Sequence, residues 1–211
     1  MKTKFLNSLV LLFMFTAVTF AQTKFASDDT DTRNQATFES NAPLEDIVGV
    51  SDKLISNITL DLNDITKNPQ GTVKVELGAL KTGIDLRDHH LRSANWLDTE
   101  NYPYAEFVLS GISDASSKAL EDGKKVTAKA SGKISIHGVT KDIIADVELT
   151  YIKETEKTKK EIPGNLLRIT TNFKLKLTDF NISIPSMVAG KVDETIKVSA
   201  NFIASDANKA M

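Results

Sequence analysis

One short stretch of the 211-residue sequence concentrates the side chains that could do chemistry: Arg87, Asp88, His90 and Arg92. The arginine guanidinium presents planar pairs of N–H donors, so this group could receive a phosphate or quinone head group. A structural role is the alternative, in which Asp88 pairs with Arg92 one helical turn away while Arg87 and His90 fix a helix to strand ends. Ion pairs that only hold a helix in place are common, which favours the structural role.

The other chemical signals argue against metal binding and catalysis. His89 and His90 are adjacent, so on a helix they would point about 100° apart. No carboxylate stands at the spacing of a His-Glu-x-x-His site. The sequence contains no Gly-x-Ser-x-Gly elbow, no glycine-rich phosphate loop and no cysteine. We therefore expect no metal, no cofactor and no catalytic residue, and a hydrolase is the less favoured alternative.

The N-terminal residues predict an export signal. Lys2 and Lys4 precede an apolar run that ends in Thr19-Phe20-Ala21, which is typical of cleavage after Ala21. The apolar run is shorter than the roughly 20 residues that span a bilayer, so we expect no permanent membrane anchor after cleavage. Removing two lysines from the 26 basic residues leaves 24 against 28 acidic ones. This balance argues against nucleic-acid binding, which usually requires concentrated positive charge.

The elements that would position the polar group are mostly strands. After the predicted signal peptide (1–21), residues 22–35 are polar and predict a flexible leader. From residue 36 to 205, apolar and polar residues alternate with period two, which is typical of strands with one buried face. Eight such segments can be counted, near Phe38 and over residues 54–62, 73–79, 105–109, 126–136, 143–151, 167–177 and 196–202.

One segment breaks this alternation. Between the third and fourth predicted strands, Leu91, Ala94 and Leu97 recur at helical spacing. Asp85 could cap the start of a helix, and Pro103 forces an extended chain before the next strand. The sequence therefore predicts one short helix that lies across an end of the sheet.

The clearest pair of strands is joined by a tight turn. Gly138 stands between them, at the first central position of a predicted type II′ turn. With a two-residue loop, Ile134 would pair with Ile143, and both lie on the apolar face.

Eight antiparallel strands with one apolar face must bury that face. They form either a two-sheet sandwich or a barrel that closes on itself. An eight-stranded barrel is just wide enough to be filled by side chains or to hold one small ligand. Small residues such as Ala130 and Gly132 face inward alongside larger ones such as Phe107 and Phe173. Composition alone leaves the hollow and the filled interior equally open.

A resemblance to a known family adds to this interpretation. The Arg-Asp-His-His-Leu-Arg stretch at residues 87–92, followed by Tyr102-Pro103 and Phe107, resembles the signature of the YceI-like family of lipid/polyisoprenoid-binding proteins. The resemblance continues through residues 132–141 and 177–182. It implies an all-β fold, an extended eight-stranded antiparallel lipocalin-like barrel that is exported to the periplasm or secreted. Residues 38–49 depart from the family pattern, which begins with a strand carrying Phe and His.

The resemblance also implies a ligand. It predicts non-catalytic binding of a polyisoprenoid, an isoprenoid quinone or a similar amphiphilic lipid, for transport or storage, and is compatible with a homodimer. Twelve alternating apolar residues are expected to line the lumen: Val75, Leu77, Phe107, Leu109, Ala128, Ala130, Val147, Leu149, Phe173, Leu175, Val198 and Phe202. Core packing would give the same alternation, so a structural or adhesin-like barrel with a filled core remains the alternative.

Overall fold

A computed structural model describes residues 22–28, 30 and 33–208. The predicted signal peptide therefore lies outside the described residues. The strands are β1 (Gln22–Ser27), β2 (Gln35–Asn41), β3 (Asp46–Ser51), β4 (Leu54–Asp61), β5 (Gln70–Glu76), β6 (Tyr104–Ser113), β7 (Lys125–Ile136), β8 (Val139–Ile152), β9 (Leu166–Lys176) and β10 (Thr195–Ser205). The α-helices are α1 (Asp85–Arg92) and α2 (Thr158–Glu161).

Eight of these strands form a closed antiparallel barrel, which is the expected number, but the predicted strand near Phe38 is β2 and lies outside the ring, while the unpredicted β1 belongs to it. Their order around the barrel is β1, β4, β5, β6, β7, β8, β9 and β10, and the pairing of Ala26 with Ser205 closes the ring. Strands β2 and β3 form a hairpin outside this order. Strand β2 pairs with residues 197–201 of β10, on the same edge of β10 that pairs with β1 at Ser205. A bridge between Val50 and Lys81 ties β3 to the connection before α1.

The leader prediction for residues 22–35 was wrong, because these residues include β1 and the start of β2. Strand β1 pairs with β4 along its whole length, and its Phe25 is fully buried. One large apolar residue in six polar-leaning positions is a weak signal, and burial here depends on the distant strands that surround it.

Helix α1 lies in the predicted stretch of chain, but it follows the fifth strand rather than the third. More strands precede the helix than predicted, because β1 and β3 were not predicted. Strand β3 lacks a clear alternation since Val48 and Val50 occupy one face and Gly49 the other. The ring of Phe38 lies so close to Gly49 that a Cβ there would overlap it. Asp85 is the first helical residue, and Ile84, which has no capping side chain, precedes it.

The predicted hairpin between β7 and β8 exists with a different turn. Both loop residues have positive φ, 51° at His137 and 74° at Gly138, which defines a type I′ turn instead of type II′. Ile134 pairs with Lys141, and Ile143 pairs with Gly132, so the predicted register is off by two residues. A shift of two preserves the face of every side chain, and the inward set was therefore correct.

The buried side chains form two clusters at opposite ends of the barrel. Val126 belongs to one cluster with Phe25 and Tyr151, whereas Ile134 belongs to the other with Phe180. Eight residues of strand separate Val126 from Ile134, which corresponds to about 26 Å. We refer to these as the closed-end cluster and the mouth cluster, because α1 and its following turn pack only near the second.

Candidate functional site

The barrel is hollow between the two clusters. An apolar cavity of about 680 Å³ occupies the lumen and opens at the end that carries α1. Inward-facing residues of the strands form its wall, and the aliphatic and aromatic side chains among them leave few partners for ordered water. Its volume and apolar wall are typical of pockets that bind small apolar molecules. This cavity argues against the filled-core alternative.

Inward-facing side chains differ in exposure between the wall of the cavity and the closed-end cluster. Inward-facing Val73, Phe107 and Phe173 are only half-buried, whereas Val126 in the closed-end cluster is 2% exposed. A side chain that points into a closed barrel is half-buried only when space remains on its inner side. The lumen therefore offers contact surface that the protein itself does not use.

Eleven of the twelve residues predicted to line the lumen contact the cavity. They are Val75, Leu77, Phe107, Leu109, Ala130, Val147, Leu149, Phe173, Leu175, Val198 and Phe202. Ala128 is the exception: it is buried, yet it is not part of the cavity wall. It lies next to Val126 on the inward face of β7, so neighbours at the closed end occupy the space before it. Ligand contact by these residues remains a prediction.

The polar group at the mouth is organised around Thr82. Asp88 Oδ1 accepts hydrogen bonds from the Thr82 backbone N–H at 2.8 Å and from Thr82 Oγ1 at 2.6 Å. Arg87 Nε donates to Thr82 Oγ1 at 2.8 Å, and Nη2 donates to the Thr82 carbonyl at 3.0 Å. Arg87 Nη1 donates to Glu45 Oε1 at 2.5 Å. These bonds join α1 to the turn between β2 and β3.

Asp88 is ionised within this arrangement although it is only 6% exposed. Burial by itself would raise the pKa of Asp88. The hydrogen bonds from Thr82, with the nearby charges of Arg92 and Arg87, outweigh burial and lower that pKa below its ordinary value. Arg92 thus acts on Asp88 through its charge, whereas Thr82, not Arg92, provides the direct bonds.

The four head-group candidates separate in space. Arg87 and His90 contact the cavity, whereas Asp88 and Arg92 do not belong to its wall. Each nitrogen of the Arg87 guanidinium already donates to a protein acceptor, and this arrangement fixes the helix over the mouth. The geometry thus favours the structural interpretation for Arg87 and Asp88.

The histidines are distributed over two places. His137 lies in the β7–β8 turn, where its Nδ1 is 3.0 Å from the Phe180 carbonyl and its ring packs edge-on against Tyr102. Across residues 22–28, 30 and 33–208, no group of three or more His, Cys, Asp or Glu side chains is arranged to hold a metal ion. In the same part of the chain, no helix has the length and apolar character needed to span a bilayer.

Several cavity residues were not among the predicted site residues because they stand on loops rather than strands. Trp96 follows α1, packs with the mouth cluster and contacts the cavity. Ile84 and Leu86 at the start of α1 and Val188 before β10 also contact it. A signal existed in the sequence: residues 182–190 contain no charged side chain, which is unusual for a loop that faces water.

Comparisons with known proteins agree with this geometry. A family model described as the YceI-like domain matches residues 29–204. A UPF0312 protein of Pseudomonas savastanoi pv. phaseolicola is 30% identical over 143 residues, which cover 66% of this chain and 65% of the relative. A UPF0312 protein of Photorhabdus laumondii is 31% identical over 109 residues, or 52% of this chain and 50% of the relative. The chain thus aligns with about half to two thirds of these relatives.

Solved structures share the fold at lower identity. BcnA of Burkholderia cenocepacia superimposes with a TM-score of 0.64 at 15% identity, covering 82% of this chain and 97% of that one. A polyisoprenoid binding domain from Saccharophagus degradans gives 0.63 at 14% identity, covering 88% and 99%. The YceI protein of Campylobacter jejuni gives 0.58 at 20% identity, covering 77% and 85%.

Proposed function

Since the chain belongs to the YceI-like family, we propose that it binds a long-chain amphiphilic lipid of the polyisoprenoid class in the barrel lumen and leaves it chemically unchanged. The observation that carries the proposal is the apolar cavity of about 680 Å³, whose wall includes side chains from seven of the eight barrel strands, all except β1. The name of the Saccharophagus domain, which shares this fold, supports the same class of ligand.

The energetics of the lumen favour length over detailed recognition. Burying hydrocarbon gains about 0.8 kcal/mol per CH₂, so a five-carbon isoprene unit contributes on the order of 3 kcal/mol before ordering costs. The walls offer few directional partners, and the lumen should therefore select poorly among chains of equal length. Isoprenoid lipids and the tails of isoprenoid quinones both satisfy this requirement.

The polar head of the ligand is proposed to stay at the mouth. The deep wall is apolar, and burying a charged group there without a partner would be costly. Arg87 acts as a positioning residue that holds α1 through Thr82 and Glu45, while the exposed His90 contacts the cavity and remains free to meet a head group. Asp88 and Arg92 support the helix from outside the cavity.

Export is the remaining part of the proposal. The sequence features of residues 1–21 support cleavage after Ala21, and a periplasmic or secreted carrier could then transport or store a lipid that water does not dissolve. The ligand exchanges reversibly in this account, so recovery of unaltered lipid after prolonged incubation is expected. Turnover of the lipid would instead establish an enzyme.

A titration tests the proposal. The delipidated protein is titrated with prenols of increasing length, and binding is followed by Trp96 fluorescence, which is specific because the chain has one tryptophan. We expect affinity to rise with each isoprene unit until the lumen is full and then to level off. Absence of binding, or affinity that does not depend on length, would refute the proposal.

A further inference from the structure

Four exposed large apolar side chains surround the mouth of the cavity. Met187 is 86% exposed, Leu44 73%, Leu86 65% and Ile84 51%. We call these four residues the apolar rim. Fully exposed large apolar side chains are uncommon when several lie together, and such patches usually mark a surface that another phase or molecule covers.

Direct contacts bring the three segments of the rim together. Arg87, which follows Leu86 in sequence, donates a hydrogen bond to Glu45, which follows Leu44. The backbone N–H of Leu44 donates to the carbonyl of Gly190 at 2.9 Å, which ties the β2–β3 turn to the loop that carries Met187. The rim is therefore one face of the molecule assembled from two loops and the start of α1.

The rim is continuous with the interior of the barrel. Ile84 and Leu86 contact the cavity, as does Val188 beside Met187. Apolar side chains thus lead from the outside of the molecule into the lumen, beside the charged side chains of Glu45, Arg87 and Lys191 that also line the cavity. The loop behind Met187 contributes no charge over residues 182–190, so it can enter a less polar environment without desolvating an ion.

We propose that the apolar rim docks on the surface of a lipid bilayer, so that the mouth of the lumen opens directly onto the membrane. This inference rests on the proposed function, because a lipid ligand in the lumen is the reason to expect a bilayer, rather than a protein, on this face. A hydrocarbon chain that leaves a bilayer through water loses about 0.8 kcal/mol per exposed CH₂. A rim that enters the interfacial region removes that barrier, whereas a protein partner on the same face would cover the opening.

Flotation with vesicles tests docking. The protein is mixed with phosphatidylcholine vesicles, and the bound fraction is compared with that of a rim variant carrying Leu44→Gln and Met187→Gln, two rim residues that are not part of the cavity wall. A matched control carries Val108→Gln and Ile144→Gln, which replace two exposed apolar residues on the strands. We expect the rim variant to partition at least about tenfold less than the wild type and the control to be unchanged.

Prenol binding in solution, measured with a short water-soluble prenol, separates this inference from the proposed function. Both variants should bind that prenol like the wild type, which also establishes that they are folded. Docking is refuted if the wild type binds the prenol but ignores vesicles, or if the rim variant floats like the wild type. Association that requires phosphatidylglycerol and survives the rim substitutions would equally overturn it. A wild type that binds no prenol would refute the lumen proposal alone.

Discussion

A phenylalanine placed deep in the lumen should shorten the ligand that the barrel accepts. Val73 on β5 contacts the cavity, packs against the closed-end cluster and pairs with Phe107 on β6, so a larger ring there would narrow the lumen beside that cluster. Val126 on β7 is its matched control, because it belongs to the same cluster but is 2% exposed and not part of the cavity wall. The pair Val73→Phe and Val126→Phe inserts the same ring into empty and into filled space.

The expected magnitudes follow from this difference. At Val126 the ring has no room, and overpacking of this kind destabilises by about 1–3 kcal/mol. At Val73 the cavity accepts the ring, so the free energy of unfolding should change by less than about 1 kcal/mol. In the lumen the phenylalanine ring takes the space of about one isoprene unit of the ligand. That unit contributes about 2 kcal/mol to the binding free energy after ordering costs, so its loss should weaken prenol binding by roughly thirtyfold.

Two assays measure these effects. Urea unfolding gives the stability of each variant, and prenol titration gives affinity against chain length. Val73→Phe should weaken the longest prenols by roughly thirtyfold and leave short ones unchanged. Equal loss of stability in the two variants would show that the lumen is packed, and an unchanged length profile would show that prenols do not reach its closed end.

Three further predictions concern residues around the cavity and the orientation of the ligand in it. Replacing Asp88 with Asn should lower the free energy of unfolding by about 1.5–3 kcal/mol at neutral pH, because the charged acceptor of both Thr82 bonds is lost. The pKa of Asp88 is lower in the folded than in the unfolded protein, so this difference should persist above about pH 4 and vanish as pH falls through the folded pKa. Urea unfolding midpoints measured against pH will show it. Gly132→Ala should destabilise by about 2 kcal/mol, since its methyl would overlap a neighbouring carbonyl, whereas Gly111→Ala, with a side-chain hydroxyl at 3.2 Å, should cost less in the same denaturation. A prenol carrying a quencher near its head should quench Trp96 emission more than one carrying it at the tail, and the reverse order would place the head at the closed end.

Period-two alternation was sufficient to predict the barrel wall. Positions such as Val75, Leu149 and Phe173 face inward because strand geometry alone determines which side they occupy, and a register error of two residues in the β7–β8 hairpin did not change that. Ala128 shows the limit of the argument. Its side of the sheet was predictable, but whether its side chain meets empty space depends on the packing of other strands at the closed end.

The missed elements have a common cause. Strand β1 and the Arg87 to Glu45 contact depend on residues far apart in sequence, 42 positions in the second case. Local propensity does not encode such partners. The i,i+4 rule suggested Arg92 as the partner of Asp88, yet Thr82, six positions earlier and outside the helix, occupies both bonds. Three of the four rim residues lie outside helices with a periodic pattern and outside the strands, and Leu86 stands at the start of α1, so no periodicity predicts the rim.

The most direct test of lipid binding in the lumen is a crystal structure of the protein with a prenol that carries bromine at its tail. We expect an anomalous peak inside the barrel at the closed end, next to Leu149 and Phe202, with the chain extending past Phe107 toward Trp96 at the mouth. A peak only on the outer wall, or a lumen that stays empty at saturating prenol, would contradict it.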